Sequence, residues 1–234
     1  MFLTGNDSKH SNFRVTTPHI FANSAILITA PIADYQHALL QEEGLLIENA
    51  INKRINEFST GRYCAHRALQ HFGIENYPVL KGEQREPVWP EQIVGSITHC
   101  HDIAGAVVAE KANAKSIGLD IENIKSLNPN IIRHVCVEEE ARWLTELDAS
   151  QQNLALLVIF SLKEAVFKCI YQATQLQLRF KQCRILPDLA SGSVDVQLIS
   201  SDLCLQPGEL QLRFAVDQTH VYSGALWRYL PAVG

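Results

Sequence analysis

Two carboxylates separated by one residue, Asp120 and Glu122, are the side chains whose types and spacing point most directly to chemistry. They lie in the segment 116–123, SIGLDIEN, where apolar residues alternate with the acids, a pattern that predicts a half-buried strand. Both carboxylates then project from one face of the strand, about 7 Å apart at two residues' rise. Like charges repel there unless a cation balances them. A solvated strand edge is the alternative interpretation.

A third acid lies in the motif FSLKEAVFK. Glu164 and Lys168 are four residues apart, so they share one face of a helix that we predict over 152–171. A solvated surface pair has the same spacing, but this helix is the most apolar in the sequence, and buried charges usually have partners. Magnesium takes carboxylate oxygens as ligands. One interpretation of these residues is therefore a site for a hard cation such as magnesium, held by Asp120, Glu122 and Glu164 with its open positions facing a phosphate; solvated surface acids are the other.

The elements that must position these side chains follow a helix-then-strands order twice. In the first half, helical periodicity extends over 42–70, with residues 59–61 (Ser-Thr-Gly) predicted to cap a second helix. Strands follow over 93–110 and 116–124. In the second half, one helix or two short ones over 130–147, and then the apolar helix, precede strands of an antiparallel sheet.

The length of the chain, 234 residues, is enough for one large domain or two small ones. Together with the repeated order of elements, it predicts an α+β fold with two similar parts. We expect an N-terminal half over 1–115 and a C-terminal half over 116–234.

The composition excludes several classes of protein. Hydrophobic residues make up 47% and charged residues 19% of the chain, as in ordered globular proteins rather than disordered ones. The net charge of -5 argues against a general nucleic-acid binder. Because no apolar run reaches membrane-spanning length and the first residues lack a secretory pattern, we expect a cytoplasmic protein without a membrane span.

The six cysteines are scattered and form no C-x-x-C pair, so we expect them to be reduced and structural. His99, Cys100 and His101 carry ligand-type side chains. Adjacent positions point in different directions, however, and no second cluster has zinc-site spacing. The sequence predicts no zinc site here.

Four ordered motifs resemble the 4′-phosphopantetheinyl transferases. GLDIENIK and FSLKEAVFK are similar to the paired G-x-D-x-E and [FW]-[SC]-x-K-E-[AS]-x-x-K motifs of that family. Upstream, KRINEFSTGRYCAHRAL and REPVWPEQIVGSITHC resemble the enterobactin synthetase component D branch. The resemblance covers residues 53–168.

The resemblance implies a fold and a reaction. The fold is a pseudodimer of two similar α/β halves, each a small, mainly antiparallel sheet packed with helices, with coenzyme A in the cleft between them. The reaction transfers the 4′-phosphopantetheine arm of coenzyme A to a serine of an apo carrier protein and releases adenosine 3′,5′-bisphosphate. Magnesium is the implied cofactor. The branch implies an aryl or peptidyl carrier of a nonribosomal peptide synthetase in siderophore synthesis.

The resemblance also implies roles for individual residues. Coenzyme A would be bound by Lys53, Arg54, Arg62, Arg85, Thr98, His99, Asp120 and Lys168. Surface positions are the alternative interpretation for the arginines and lysines, and a turn position for His99. Lys168 and Glu164 are implied to be catalytic. The general base is implied to be Glu140 or a metal-bound water; an acidic first helical turn is the alternative interpretation of the glutamates at 138–140.

The implied partner is an apo carrier protein, and carriers are usually acidic. The candidate docking cations are Lys163, Arg179, Lys181 and Arg184. We expect a monomer. Two other functions use the same residues: a magnesium-dependent nucleotide pyrophosphohydrolase, and a non-catalytic module that binds carrier proteins.

Overall fold

The computed structural model of the protein describes residues 19–21, 25–200 and 203–230. In chain order, the elements are β1 (Ala25–Pro31), α1 (Gln41–Leu45), α2 (Asn52–Gln70), β2 (Leu80–Lys81), β3 (Pro87–Val88), β4 (Ile93–His99), β5 (Ile103–Glu110), β6 (Ser116–Asn123), α3 (Ile132–Val135), α4 (Glu138–Glu146), α5 (Ala149–Thr174), β7 (Cys183–Pro187), β8 (Val194–Leu198), β9 (Leu210–Val216) and β10 (His220–Trp227). Within the described ranges, no helix is long and apolar enough to cross a membrane.

The first sheet has the strand order β1-β5-β4, and both pairings are antiparallel. A three-residue turn joins β4 to β5, so that His99 lies opposite Ala104. Helix α2 packs on β1 and β5. It buries Cys64, Ala65 and Leu69 there, because small and apolar residues recur at helical spacing along its inner face.

The predicted helix break at residues 59–61 is wrong, because α2 continues through them. Their small size serves packing instead. The Thr60 hydroxyl accepts a hydrogen bond from the Ala33 amide and lies 2.7 Å from the Asn56 carbonyl, to which it donates. A Cβ atom at Gly61 would lie 3.0 Å from a methyl carbon of Ile97, so glycine permits the close approach of α2 to β4.

The second sheet has the strand order β6-β10-β9 and is also antiparallel. In this register, Asp120 lies opposite Ser223 and Glu122 lies opposite Val221. Helix α5 packs on β6 and β10. It buries a continuous apolar face that includes Leu162, and the periodic run LALLVIFSLKEAVF explains why this helix is long.

Gly118 in β6 is what allows α5 to lie so close to the sheet. A Cβ atom there would lie 1.9 Å from the carbonyl oxygen of Ala165, which is backbone and cannot turn aside. Gly118 and Asp120 are two residues apart and so project from the same face of the strand. The close approach therefore brings the face of β6 that carries the acids against the segment of α5 that carries Glu164.

The remaining strands and helices form smaller units. The strands predicted after residue 180 are present, but β7 and β8 form their own two-stranded sheet, linked to β9 by a bridge between Ser193 and Arg213. The helical segment predicted over 130–147 contains the short helices α3 and α4. The sequence predicted either one helix or two short ones here, and the structure has two.

The two main sheets meet where β4 runs beside β6. The Leu119 amide donates a hydrogen bond to Ser96 Oγ at 3.1 Å, and the Gln172 side chain of α5 donates to the Gly95 carbonyl at 2.7 Å. The fold is therefore α+β, with small antiparallel sheets each packed with a long helix, as predicted. The division into two halves near Lys115 stays a prediction.

Candidate active site

Asp120 is the centre at which both sheets and α5 converge. It is only 5% exposed. Its Oδ1 accepts hydrogen bonds from Lys168 Nζ at 2.8 Å and from Thr98 Oγ1 at 3.1 Å, and its Oδ2 accepts from Ser161 Oγ at 2.9 Å. The donors come from α5 and β4, so the predicted neighbours Asp120, Thr98 and Lys168 are indeed brought together. Ser161, which occupies the [SC] position of the motif, was not among the predicted site residues.

Lys168 is already committed to protein acceptors. Besides Asp120, its Nζ donates to the Leu119 carbonyl at 2.9 Å and to Thr98 Oγ1 at 3.1 Å. An ammonium group has three N–H donors, so all are used. The predicted contact of Lys168 with a phosphate therefore requires one of these hydrogen bonds to be exchanged.

Glu164 and Glu122 complete the acidic group. Burial raises the pKa of the Glu164 carboxyl, Lys168 opposes this, and two neighbouring carboxylates add to it. Those neighbours are Asp120 and Glu122. In the described part of the chain, no donor lies within hydrogen-bonding distance of the Glu164 carboxylate. Glu122 is half-buried, and its Oε2 lies 3.0 Å from the exposed Lys125 Nζ.

The donor set fits a hard divalent cation in its chemistry. Three carboxylates share a small volume, and Glu164 has no positive partner in direct contact, which is the arrangement that a cation with oxygen ligands stabilises. The three carboxylates are, however, not gathered as tightly as a closed site: among the described residues, only a different group has three ligand atoms all within 4.8 Å of one another. Lys168 occupies the position beside Asp120 instead. Asp120, Glu122 and Glu164 would hold the magnesium ion.

A cluster of cations surrounds the ring of Phe58. Arg62 Cζ lies 4.3 Å and Lys81 Nζ 4.9 Å from its centroid. Burial lowers the pKa of Lys81, and nearby guanidinium groups lower it further. These belong to Arg54, Arg62 and Arg85. Lys81 was missed, because the sequence around it was interpreted as a loop, whereas the hairpin of β2 and β3 returns the chain to α2.

Arg62 is buried and its side chain is bound by other groups of the protein, unlike a ligand-binding arginine at the surface. It is 5% exposed, and its Nε donates to the Val79 carbonyl at 2.6 Å. The carboxylate of Glu43, itself fully buried, lies 4.0 Å away. Burial lowers the pKa of Arg62 to about 10, Glu43 opposes this shift, and Arg54 adds to it. The predicted contact of Arg62 with coenzyme A stays a prediction.

Four other residues predicted to bind coenzyme A are more exposed to solvent than Arg62. His99 Nε2 lies 3.4 Å from Arg54 Nη1, at the end of β4. Lys53 is the outermost, with a side chain that is 73% exposed. Arg85 is exposed and has a backbone φ of 70°, which places it at the left-handed corner of the β2–β3 connection.

One cavity of about 700 Å³ contacts one member of each of the two charged groups. It is lined by the β2–β3 connection, by β4 and by the C-terminal part of α5. Arg85 and Lys168 both line it, together with apolar and aromatic side chains such as Trp89 and Phe167. A ligand with a charged end and an uncharged arm could therefore occupy it.

The structure contradicts the prediction that Glu140 is the general base. Glu140 is fully buried, and both oxygens are occupied. Its Oε2 accepts from Lys163 Nζ at 2.7 Å and from the Val137 amide at 2.8 Å, while its Oε1 accepts from the Ile185 amide at 2.6 Å. A fully buried carboxylate that accepts three hydrogen bonds from the protein has no access to a substrate hydroxyl. Glu140 instead joins the start of α4 to α5 and β7.

Replacement of Glu140 should therefore impair stability rather than chemistry. In Glu140→Gln, the fully buried Lys163 ammonium would lose its counter-charge, which costs about 3–5 kcal/mol of the free energy of unfolding. Chemical denaturation of this variant beside Glu139→Gln measures the difference, since Glu139 is half-exposed and pairs only with Arg184. A folded Glu140→Gln protein that loses activity without losing stability would restore the catalytic interpretation.

The predicted docking cations divide into two groups. Lys163 cannot contact a partner, because its Nζ is buried and donates to Glu140 and to the carbonyls of Val135 and Phe180. Arg184 is engaged with Asp195 at 2.9 Å. Arg179 and Lys181 remain at the surface, beside a shallow depression that His134 also lines.

Two family models match the chain. The model of the 4′-phosphopantetheinyl transferase N-terminal domain matches residues 41–109, and that of the 4′-phosphopantetheinyl transferase superfamily matches residues 116–218. The second match begins at β6 and so contains the predicted metal ligands.

Curated relatives are similar to a large part of the chain. The 4′-phosphopantetheinyl transferase Svp of Streptomyces mobaraensis is 36% identical over 162 residues, covering 69% of this chain and 66% of that protein. Npt of Nocardia iowensis is 35% identical over 150 residues, covering 64% and 67%. Enterobactin synthase component D of Escherichia coli is 36% identical over 124 residues, covering 52% and 57%. The chain thus spans about two thirds or less of the length of these relatives.

A solved structure is similar over a smaller part. The holo-[acyl-carrier-protein] synthase of Thermotoga maritima superposes with a TM-score of 0.37 at 16% identity, covering 48% of this chain and 63% of that one.

Proposed function

Because the chain belongs to the 4′-phosphopantetheinyl transferase superfamily, we propose that it transfers the 4′-phosphopantetheine arm of coenzyme A to a serine of an apo carrier protein and releases adenosine 3′,5′-bisphosphate. The observation that carries this proposal is a cavity lined both by Arg85 of the cation cluster and by Lys168, which is hydrogen-bonded to Asp120. Coenzyme A has phosphates at its nucleotide end and an uncharged arm, so its charges match this distribution.

In the proposed reaction, the serine oxygen of the carrier forms a bond to the β-phosphorus of coenzyme A. The bond between that phosphorus and the bridging oxygen breaks, and the electron pair leaves with adenosine 3′,5′-bisphosphate. A magnesium ion held by Asp120, Glu122 and Glu164 would supply charge neutralisation at the pyrophosphate. Lys168 would exchange its hydrogen bond to Thr98 or Leu119 for a phosphate oxygen. The serine proton passes to an acceptor other than Glu140.

The proposed carrier is an aryl or peptidyl carrier domain of a nonribosomal peptide synthetase that makes a siderophore. Its support is the relative named enterobactin synthase component D. The exposed cations Arg179 and Lys181 would face the acidic surface of such a carrier, and they replace the larger set predicted from the sequence. We propose a monomer acting in the cytoplasm, where coenzyme A and the synthetases are found.

Intact-mass spectrometry tests the proposal directly. An apo carrier domain incubated with the protein, coenzyme A and magnesium should gain the mass of one phosphopantetheine arm, and a chelator should prevent this. Aryl, peptidyl and acyl carriers should be tested in parallel, with the aryl or peptidyl domain modified fastest. Hydrolysis of coenzyme A without any carrier modification would favour the pyrophosphohydrolase. Neither product, with carrier binding retained, would favour the non-catalytic module.

Replacement of Lys81 should weaken coenzyme A binding without slowing the chemistry. Lys81→Met removes one of four neighbouring cations, the others being Arg54, Arg62 and Arg85, which together would attract the phosphates of coenzyme A. A hydrogen bond to a charged group contributes about 1.5–3 kcal/mol, so the KM for coenzyme A should rise roughly ten- to a hundredfold while kcat changes little.

Kinetics with 3′-dephospho-coenzyme A provide the control for this prediction. If the cluster binds the 3′-phosphate, the wild-type protein should lose affinity for the dephosphorylated substrate, and Lys81→Met should discriminate much less between the two. A variant with an unchanged KM for coenzyme A would remove Lys81 from the binding site.

A further inference from the structure

A second group of potential ligands lies at the opposite end of β6 from Gly118. Cys100 and Asp102 lie at the β4–β5 turn, and His220 begins β10, so sheet pairing brings together residues 118 positions apart. Their Sγ, Oδ1 and imidazole nitrogen all lie within 4.8 Å of one another. We propose that Cys100, Asp102 and His220 bind a divalent transition-metal ion of the zinc type.

The distance between Cys100 Sγ and Asp102 Oδ1 equals the edge that a tetrahedral ion imposes, and the distance between His220 Nε2 and Asp102 Oδ1 is about 0.4 Å shorter than its edge. Cys100 Sγ lies 3.5 Å and His220 Nε2 lies 2.9 Å from the same oxygen, Asp102 Oδ1. With zinc bonds of about 2.0 Å to oxygen or nitrogen and about 2.3 Å to sulfur, the edges between ligands are roughly 3.3 and 3.5 Å. Small side-chain movements would therefore centre the ion, and the fourth position would remain open to solvent.

His220 Nε2 and Asp102 Oδ1 are close enough to bind one ion between them. They lie 2.9 Å apart, a distance at which two lone pairs repel unless a proton or a metal ion lies between them. The other ring nitrogen, Nδ1, lies 2.8 Å from the Thr219 hydroxyl, which can donate to it or accept from it.

The thiol favours the metal ion over the proton. Cys100 Sγ donates at 3.5 Å to the same oxygen, Asp102 Oδ1, that His220 contacts, so it lies where a third ligand is needed. A sulfur ligand, an imidazole and a carboxylate together form a set that zinc prefers and magnesium does not. Zinc binds the thiolate, so binding of the ion releases the thiol proton.

The site would join the two main sheets. Asp102 belongs to the first sheet's turn, whereas His220 belongs to the second sheet. Asn123 at the end of β6 supports both, because its amide nitrogen lies 2.7 Å from Asp102 Oδ1 and 3.2 Å from His220 Nε2. Metal binding here should therefore stabilise the packing of one sheet against the other. The proposed metal site is separate from the proposed transferase site, and neither proposal depends on the other.

Cobalt titration of the full chain tests the inference. Co²⁺ replaces zinc and gives a thiolate-to-metal absorption band together with the intense visible bands of four-coordinate cobalt. We expect one equivalent to bind, Zn²⁺ to displace it, Mg²⁺ not to displace it, and the thermal transition to rise with either transition metal. The absence of a thiolate band would overturn the proposal and leave a shared proton in its place.

Two cysteine variants make the test specific. Cys100→Ser should lose the thiolate band and most of the metal-induced thermal shift. Cys204→Ser, at an exposed cysteine outside the cluster, should keep both. A thiolate band that survives in Cys100→Ser would place the metal elsewhere and contradict the proposed site. Because the readouts are absorption and melting temperature, a failed transferase assay would not affect the result.

Discussion

Glu164→Gln is expected to abolish transfer while leaving the protein at least as stable as the wild type. Of the three predicted magnesium ligands, Glu164 is the one whose carboxylate accepts no hydrogen bond from a described residue. Its replacement by a neutral amide of the same shape removes one of the three charges that hold the ion. Loss of one preorganised electrostatic group costs about 10²- to 10³-fold in rate, and we expect a loss of at least this size.

The expected stability follows from the pKa of Glu164. Burial and the neighbouring Asp120 and Glu122 raise that pKa in the folded protein. The folded state therefore binds more protons than the unfolded state between the ordinary and the raised pKa, and the free energy of unfolding falls as pH rises through this window. Glu164→Gln has no titrating carboxyl at this position, so its free energy of unfolding does not fall in this way. The variant should therefore be no more stable than the wild type at acidic pH below the window and more stable than the wild type above it.

The measurement combines carrier modification with denaturation at several pH values without magnesium. Glu138→Gln is the matched control, because Glu138 is an exposed acid on α4 whose side chain is 91% accessible. That variant should resemble the wild type in both assays. Near-normal transfer by Glu164→Gln at ordinary magnesium concentrations would remove the metal-site interpretation. Unfolding of the variant would show that Glu164 has a structural partner.

The sequence alone was sufficient to predict the relative positions of side chains that lie within one helix or strand. Alternation along β6 placed Asp120 and Glu122 on one face, and a four-residue spacing placed Glu164 beside Lys168. The fold class followed from the order of elements. That α5 lies against β6 rather than elsewhere could not be derived from either pattern alone, although Gly118 marks the place where it does.

Features that depend on distant partners could not be predicted. The resemblance implied that Glu140 is the general base, but its surroundings depend on Lys163 and on the Ile185 amide, which lies 45 residues away. The same limit applies to His220 and Cys100, since they belong to different sheets and only the packing of one sheet against the other brings them together. Strand β1 was missed as well. Its run AILITAP is apolar, but no motif drew attention to it.

Helix α2 shows how tertiary packing overrides a local signal. Residues 59–61 have the composition of a helix cap, and in an isolated peptide they would weaken the helix. In the folded chain, the hydroxyls of Ser59 and Thr60 bind the backbone of residues 33–35, and Gly61 admits Ile97. Small size rather than capping is what these positions require.

Gly118→Ala is expected to abolish the proposed transfer, although Gly118 does not line the cavity. The added methyl would lie 1.9 Å from the Ala165 carbonyl oxygen and 2.9 Å from the Cys169 amide nitrogen, both in the backbone of α5. Carbon contacts are most favourable near 3.5–4.0 Å, so α5 must move away from β6 by roughly 1–2 Å. That movement separates Glu164 and Lys168 from Asp120, and a misplacement of about 1 Å costs on the order of a hundredfold in rate.

The effect on stability should accompany the effect on activity, since overpacking of a buried contact costs about 1–3 kcal/mol. Thermal denaturation and carrier modification of Gly118→Ala, measured beside Gly44→Ala, test this. A Cβ atom at Gly44 would meet no atom within 4 Å, and alanine favours its helix by up to about 1 kcal/mol, so that control should be active and slightly more stable. If Gly118→Ala were as active and as stable as the control, α5 could not lie against β6 as closely as described. The proposed magnesium site would then lose the contact that assembles it.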